Sequence, residues 1–407
     1  MTILSGGRIV LPDRIIPAGS VVIERGRIAA VDDRITSAAA GADVLPLTGF
    51  TIVPGFIDVH VHGVQGTDVL DGPDAVSTVA AALPRYGVTA FCPTSVACDP
   101  AVLRTFLLAV RQAGVDSRPG SARVLPAHLE SNFINPAWNG AQPAACLRSY
   151  RRGPSSPPDA SAFTADDVLD VMHAGRDSVG IVTLAPELPG GMDLVQLLRA
   201  RGHVVSIGHS GATYDEACEA IRRGVTHATH LFNRMSPFTH RSPGVVGAVL
   251  GSAAVAVELI CDGHHVHPAA VSLTIRLKSA DRVMAITDGT AAAGLLRGSR
   301  ARLGGQTIVA GARSAELEDG TLAGSIITMD KAFRMLVQDA GVSLVDASRM
   351  CSTTPAEQLG LLSHGRIAED ASADLVVLDP ELRVAQTWVA GTPFPEHSSA
   401  HLRLHRP

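Results

Sequence analysis

The sequence has no long hydrophobic run, no block of basic residues and no pair of closely spaced cysteines. Without a run of about 18 uncharged apolar residues, no membrane-spanning helix is expected. The N-terminal letters MTILSGGRIV place no basic segment before an apolar one, so we expect no signal peptide. Lysine and arginine are scattered over a chain of net charge −5, which argues against a nucleic-acid partner. Six cysteines without a CxxC motif are typical of free thiols in a reducing compartment, so we predict a cytoplasmic protein.

Length and composition indicate a large folded protein. The chain has 407 residues, 46% of them apolar and 18% charged, which suits a large barrel with an accessory domain. Short β-branched runs punctuated by glycine, proline and aspartate occupy residues 3–10, 21–31 and 44–53, and a similar pattern recurs within Asp374–Gly391. We therefore predict that both termini together form a small β-sandwich domain, from residues 1–53 and 366–407.

Residues 54–365 have a different rhythm, in which short apolar strands alternate with helical segments such as VSTVAAALPRYG and TYDEACEAIRRG. That alternation indicates βα units with parallel strands. The predicted strands lie in GFIDVHVH, VTAFCPTS, RVLPAHLE, GIVTLAPE, HVVSIGHS, THATHLFN, VAVELICDG and RVMAITDG. Eight such units predict a (β/α)8 TIM barrel. The stretch Arg151–Ala162 is rich in proline and serine and is expected to be a loop.

Polar residues stand where the predicted strands end, and in such a barrel these ends form the face that carries the active site. The first strand closes on His60 and His62, whose side chains share one face because side chains alternate along a strand. Imidazole is a favoured ligand of zinc and similar divalent ions. Each polar residue has an ordinary alternative, such as a buried histidine, a paired carboxylate or a helix cap, but their convergence favours a metal site. Besides His60 and His62, the candidate residues at the predicted strand ends are Glu130, His209, His230 and Asp288.

A catalytic divalent ion needs about three protein ligands and an open position for water. Glu130, His209 and His230 supply three ligands. The histidine pair of the first strand could hold a second ion, with Glu130 between the two ions. Asp288 is then the natural general base and acid beside the activated water. The choice among zinc, iron, manganese and cobalt stays open, because histidine and glutamate accept all of them.

Longer motifs resemble a known family. The segments PGFIDVHVHG, HLE, GHSGAT, ATHLFNRMSP, RSPG, CDGHHVH, ITDGTAAAG and LAGSIITM occur in this order, followed by TPAEQLGL and DLVVLD. Together they resemble the amidohydrolase superfamily and, more narrowly, the N-acetylglucosamine-6-phosphate deacetylase family. The resemblance implies a (β/α)8 barrel with a small β domain, a homodimer, and one or two divalent ions per subunit. It also implies a hydrolase that removes the N-acetyl group from an N-acetylhexosamine 6-phosphate.

Carried over by position, the resemblance makes Glu130, His209 and His230 metal ligands, and makes Asp288 the catalytic acid and base. The first-strand histidines match a second metal site that some family members have lost. Arg241 matches an arginine that meets the sugar phosphate, often across the dimer interface, although it could be a solvated loop charge. The other matched substrate contacts are Ala141, Gln142, Asn233, Arg234, His265, Leu322, Ala323 and Gly324.

The sequence departs from the family near the substrate pocket. The family's HLEGP reads HLESN here, which places Ser131 and Asn132 after the metal ligand. Gln142 stands where the family has a histidine that contacts substrate, and its amide can donate a hydrogen bond to an oxyanion but cannot be a cation. Arg234 stands where the family has a small residue. These changes either retune the binding of the usual substrate or mark a different N-acyl sugar.

The predicted reaction is metal-assisted hydrolysis of an amide. The ion makes hydroxide available near neutral pH. Asp288 takes the proton of the water and passes it to the departing amine, while Gln142 or His265 helps the ion to stabilise the oxyanion. Two other possibilities stay open: another substrate, such as the galacto isomer or an N-acyl amino acid, and a catalytically silent barrel that serves as a scaffold. Only a phosphorylated substrate should depend on Arg241.

Overall fold

The computed structural model describes residues 1–34, 41–151 and 163–395. Within them, the eight predicted strands form a parallel sheet in which each strand lies beside the next one along the chain. A short strand, Arg123–Val124, precedes the third strand and pairs with the second. The predicted TIM barrel is confirmed. Its strands are Phe56–Val61, Val88–Ser95, Ala127–Glu130, Val179–Leu184, Val204–Ile207, Val225–Ala228, Ala256–Ile260 and Val283–Ile286.

Hydrogen bonds between the ends of the first and eighth strands close the barrel. Val61 forms a parallel bridge with Gly289. The Asp288 amide donates to the carbonyl of His60 at 3.1 Å, and the His62 amide donates to the carbonyl of Gly289 at 2.8 Å. Closure therefore places the candidate residues of the first strand beside Asp288, although 200 or more positions separate them in the chain.

Helices pack on the strands through one large apolar cluster that joins, for example, Val182 and Val257 of the strands to Val195 of a helix. None of the helices in the three described ranges has both the length and the apolar character needed to cross a membrane. The α-helices are Ala75–Ala82, Pro100–Val115, Ala165–Ala174, Gly191–Ala200, Tyr214–Arg223, Gly244–Gly251, Pro268–Lys278, Met329–Gln338, Leu344–Ser348 and Thr354–Gln358. Shorter helical turns are Leu83–Tyr86, Pro136–Trp138, Ala144–Cys146, Arg176–Ser178 and Ala280–Arg282, with a π-helix at Arg349–Thr353.

Segments from both ends of the chain form a second sheet of eight strands. The central strand, Thr2–Val10, pairs with Asp43–Pro46 over its first half and with Thr51–Pro54 over its second half. Leu375–Leu378 pairs antiparallel with Thr51–Pro54 and so joins the two chain ends. The other strands are Ile15–Glu24, Arg27–Asp32, Val384–Val389 and Thr392–Pro393. The exact division of domains at residues 53/54 and 365/366 stays a prediction, and residues 396–407 lie outside the described ranges.

Two local features of the structure differ from the strands predicted from the sequence. The predicted run over 21–31 is a hairpin, because Arg25 and Gly26 have φ values of 48° and 77° and turn the chain between two strands. A four-stranded antiparallel sheet that the sequence patterns did not predict follows the eighth barrel strand; its strands are Arg300–Leu303, Gln306–Ala310, Ser314–Leu317 and Leu322–Ser325. Of the predicted loop Arg151–Ala162, all but Arg151 lies outside the described residues.

Candidate metal centre and active site

Three candidate residues sit just beyond their strands in an uncommon backbone conformation. His209, His230 and Asp288 have φ values of 48°, 30° and 49°. A non-glycine residue at positive φ is disfavoured, and such strain clusters where the surrounding structure fixes a functional side chain. The turn at each strand end is therefore part of the geometry that brings the three side chains together over the barrel.

Glu130, His209 and His230 form one cluster of possible ligands. Glu130 Oε1 lies 2.6 Å from His209 Nε2 and 2.8 Å from His230 Nε2, and the two Nε2 atoms are 3.1 Å apart. His209 Nδ1 donates to the Trp138 carbonyl at 2.7 Å, which leaves Nε2 with its lone pair toward the cluster. Two imidazoles and a carboxylate are a donor set that suits a catalytic divalent ion.

His60, His62 and Asp288 form a second cluster beside the first. Asp288 Oδ1 lies 3.3 Å from His60 Nε2 and 3.2 Å from His62 Nε2. His62 Nδ1 donates to the Thr94 carbonyl at 3.0 Å, so its Nε2 is the nitrogen free to bind an ion. Glu130 Oε2 is 3.6 Å from His62 Nε2, which places this carboxylate between the two clusters. The donors thus fit one ion or two.

Burial and mutual contact set the charges of these groups. Burial opposes ionisation of Glu130, but His209 and then His230 outweigh it and hold the pKa of its carboxyl well below the usual range. The pKa of Asp288 is likewise lowered, since His60 and other histidines outweigh its burial. Burial lowers the pKa of His60 to about 3. The two carboxylates are therefore ionised and His60 is neutral, which are the forms that bind a metal.

The clusters open into a cavity of about 420 Å³ at the mouth of the barrel. Of the residues predicted to bind substrate, seven line it: Ala141, Gln142, Asn233, Arg234, His265, Leu322 and Gly324. Ala323 is buried in the apolar cluster of the four-stranded sheet. Arg241 is exposed on the loop after Asn233 and is not part of the lining. Trp138, Phe232 and Leu303 also line the cavity, and no sequence pattern predicted them.

Known proteins are similar to this chain over most of its length. Residues 51–394 match the amidohydrolase family. The N-acetylglucosamine-6-phosphate deacetylase of Lysinibacillus sphaericus is 37% identical over 374 residues, which are 91% of this chain and 92% of that protein. The Bos taurus deacetylase of the same name is 39% identical over 84% of this chain and 83% of that protein. This chain belongs to the amidohydrolase family, in its N-acetylglucosamine-6-phosphate deacetylase branch.

Solved structures of this deacetylase family agree with the assignment. A mutant of the Mycobacterium smegmatis enzyme, in complex with N-acetyl-D-glucosamine-6-phosphate, superposes with a TM-score of 0.85 at 32% identity, over 97% of this chain and 99% of that chain. The Pasteurella multocida deacetylase gives a TM-score of 0.86 at 26% identity, over 96% of this chain and 99% of that chain. The family membership that the sequence motifs indicated is confirmed.

The departures from the deacetylase motif have two different structural roles. Ser131 Oγ donates to the Thr183 carbonyl at 2.5 Å, and Asn132 Nδ2 donates to the carbonyls of Cys98 and Cys146 at 2.7 and 2.8 Å. These two side chains are buried anchors for the loop after the third strand, and neither lines the cavity. Gln142, in contrast, reaches Glu130 of the candidate metal centre.

The amide of Gln142 is held in one orientation. Its Oε1 accepts the Ala97 backbone N–H at 2.7 Å, which turns Nε2 toward Glu130, and Nε2 donates to Glu130 Oε2. His265 is fixed in a comparable way, because its Nδ1 donates to Asp262 Oδ2 at 2.6 Å. Two side chains with defined hydrogen-bonding atoms therefore face the cavity near the ligands.

Glu258 is a buried residue of the seventh strand that the sequence analysis did not single out. Its Oε2 accepts from His60 Nδ1 at 3.0 Å, which leaves His60 Nε2 as the nitrogen facing His62. His128 is different, since its Nδ1 donates to the Val59 carbonyl at 3.0 Å and its Nε2 pairs with Thr183 Oγ1 at 2.7 Å. Both nitrogens of His128 are thus engaged, and we interpret it as structural. In the sequence, Glu258 could have been recognised as the one carboxylate within the apolar run VAVELI.

Proposed function

We propose that this protein hydrolyses N-acetylglucosamine-6-phosphate to an amino sugar phosphate and acetate, with a divalent ion as cofactor. The observation that carries the proposal is the position of ionised Asp288 within 3.3 Å of the candidate ligands His60 and His62, in the wall of a cavity large enough for a sugar phosphate. Membership in the deacetylase branch supports the same substrate.

Glu130, His209 and His230 would hold the principal ion, and His60 with His62 would hold a second one. Zinc, iron, manganese and cobalt all suit these donors, so the identity of the ion and the choice of one or two remain for experiment. When bound, the ion supplies Lewis-acid activation of water and of the acyl oxygen.

The protein's own residues carry the proton transfers. Asp288 is ionised and can accept the proton of the attacking water as the acetamide carbon becomes tetrahedral. The same carboxyl then donates that proton to the sugar nitrogen as the C–N bond breaks. Gln142, through the Nε2–H that does not face Glu130, and His265, which lines the same cavity, would donate to the developing oxyanion. Asn233 lines the same cavity and would orient the sugar.

We also propose that the protein is a cytoplasmic homodimer and that Arg241 contacts the phosphate from the partner subunit. An exposed arginine outside its own cavity lining suits that arrangement. Arginine is apt for the task because its planar fork donates two hydrogen bonds to one phosphate.

The decisive experiment is acetate release from four substrates, with metal supplied: N-acetylglucosamine-6-phosphate, its galacto isomer and the two unphosphorylated sugars. Strong preference for the first supports the proposal. Preference for the galacto isomer would mean that Gln142 and Arg234 have moved the specificity. No turnover of any of the four, by protein that contains its ion, would contradict the proposal.

Removing the amide of Gln142 is expected to slow the chemical step. Gln142→Ala should lower kcat by about 10²-fold, the usual cost of losing one oxyanion donor, and should change KM much less. Steady-state kinetics checks this, with the exposed Gln112→Ala as matched control. Metal content is measured in parallel, because Gln142 also donates to Glu130. A loss of ion that accounts for the whole loss of rate would contradict the oxyanion role.

Glu258 is expected to position His60 for the second ion. Glu258→Met removes the acceptor for His60 Nδ1 at similar side-chain volume, and outer partners of this kind typically change metal affinity 10- to 100-fold. Glu258→Gln keeps an acceptor oxygen and should retain most of the affinity. Elemental analysis of ions per subunit, at matched free metal, checks the prediction. Equal ion content in wild type and both variants would refute it.

A further inference from the structure

We propose that Arg234 is a specificity-determining residue that binds the phosphate of the substrate within the subunit that carries the reaction. The inference rests on the proposed function and adds the residue that recognises the anionic end of the substrate. Arg241, predicted from the family resemblance, lies outside the cavity lining of its own subunit. Arg234 lines that cavity together with the candidate metal ligands.

The backbone around Arg234 is fixed. Arg234 has a φ of 52°, and the nearby Phe232 has a φ of 80°, so the chain turns tightly after His230. The Arg234 carbonyl accepts the Ser210 amide at 3.2 Å, which ties the turn to the segment after the fifth strand. The guanidinium therefore projects from a restrained turn rather than from a free loop.

Gly140 leaves space for the Arg234 side chain. A Cβ built on Gly140 would lie 2.8 Å from Arg234 Nε and 3.3 Å from its Cζ, and Gly140 has a φ of 61°. The Arg234 side chain thus packs closely against Gly140, in the segment that carries Ala141 and Gln142. Gly140 and Arg234 are both part of the cavity wall.

The charge of Arg234 has no partner in the described part of the chain. No carboxylate there lies in a salt bridge with it, and none of its guanidinium N–H groups takes part in a hydrogen bond. The two acidic residues of the cavity wall, Glu130 and Asp288, are engaged with the histidines of the metal clusters. Arg234 is also the sole arginine or lysine among the lining residues of the described cavity.

A guanidinium without an ion-pair partner, held on the wall of a reaction cavity, suits an oxyanion of the substrate. Its fork can donate two charge-assisted hydrogen bonds to a phosphate, and such bonds are stronger than those to neutral sugar hydroxyls. Lysine offers a point charge without the fork. The phosphate rather than the sugar ring is therefore the group that Arg234 recognises.

The test compares acetate release from N-acetylglucosamine-6-phosphate and from unphosphorylated N-acetylglucosamine by wild type, Arg234→Met and Arg234→Lys. We expect Arg234→Met to lower kcat/KM on the phosphorylated sugar by about 10- to 100-fold, the range for losing hydrogen bonds to a charged group. The rate on the unphosphorylated sugar should change by less than about threefold, within ordinary mutational variation. The kcat/KM of Arg234→Lys on the phosphorylated sugar should lie between those of wild type and Arg234→Met. The exposed Arg118→Met is the matched control.

A binding measurement separates this proposal from the proposed function. Glucosamine 6-phosphate is titrated calorimetrically into the metal-loaded proteins, and Arg234→Met should weaken its binding by a similar factor. If wild type releases no acetate but this phosphate-dependent binding is lost in Arg234→Met, the proposed function fails while the assignment of Arg234 stands. If Arg234→Met lowered kcat/KM equally on the phosphorylated and the unphosphorylated sugar, the assignment would be overturned. A phosphate-specific loss in Arg241→Met with none in Arg234→Met would also overturn it.

Discussion

Asp288→Asn is expected to abolish acetate release while the protein keeps its principal ion. Asparagine preserves the shape of the side chain but cannot accept the proton of water or return it to the sugar nitrogen. General acid–base catalysis contributes about 10² to 10⁴ in rate, and one group performing both transfers puts the loss at the upper end of that range. Asp288 is not a member of the cluster of Glu130, His209 and His230, so that cluster should keep its ion.

The measurement is kcat with metal supplied, together with elemental analysis of the purified variant. Asp177→Asn is the control, because the Asp177 side chain is 94% exposed and belongs to none of the candidate ligand clusters. A kcat within tenfold of wild type would exclude Asp288 as the proton carrier. Loss of the principal ion along with the activity would instead mean that Asp288 acts mainly as a ligand.

Much of the barrel could be predicted from the sequence because its strands are short apolar runs that end on polar residues. That pattern has a direct physical cause: parallel strands are covered on both faces, whereas their carboxyl ends meet the cavity. The run ending in His60 and His62 and the run ending in Asp288 were each visible alone. Their proximity follows once eight strands close, since the first must then lie beside the last.

Other parts of the site depend on contacts that no local pattern reveals. The strand Leu322–Ser325 is short and partly exposed, and its place at the cavity comes from pairing within the missed four-stranded sheet. Glu258 is an interruption of an apolar strand, and its contact with His60 depends on the register of two strands distant in the chain. The sequence placed Gln142 at the site, but it could not show that Asn132 anchors a loop, because the contacts of Asn132 with Cys98 and Cys146 depend on the fold.

Glu130→Gln is expected to release the principal ion and, with it, nearly all activity. Among the residues that the structure describes, Glu130 is the one carboxylate in contact with both His209 and His230, and it also approaches His62. Its pKa lies well below the usual range, so it contributes a full negative charge to the buried ligand set. A neutral amide removes that charge, and the loss of affinity should exceed the 10- to 100-fold that is typical of residues outside the ligand set.

Two measurements together decide this prediction: ions per subunit after dialysis against a fixed free-metal concentration, and acetate release as metal is titrated back. The exposed Glu369→Gln serves as the matched control, and far-ultraviolet circular dichroism confirms that each variant is folded. Because the amide remains able to hydrogen-bond in the buried site, the fold should persist while the ion is lost. A variant with full ion content and normal activity would show that Glu130 is not a ligand. In that case the ion would be held by other donors, such as His60, His62 and Asp288, which form the neighbouring cluster.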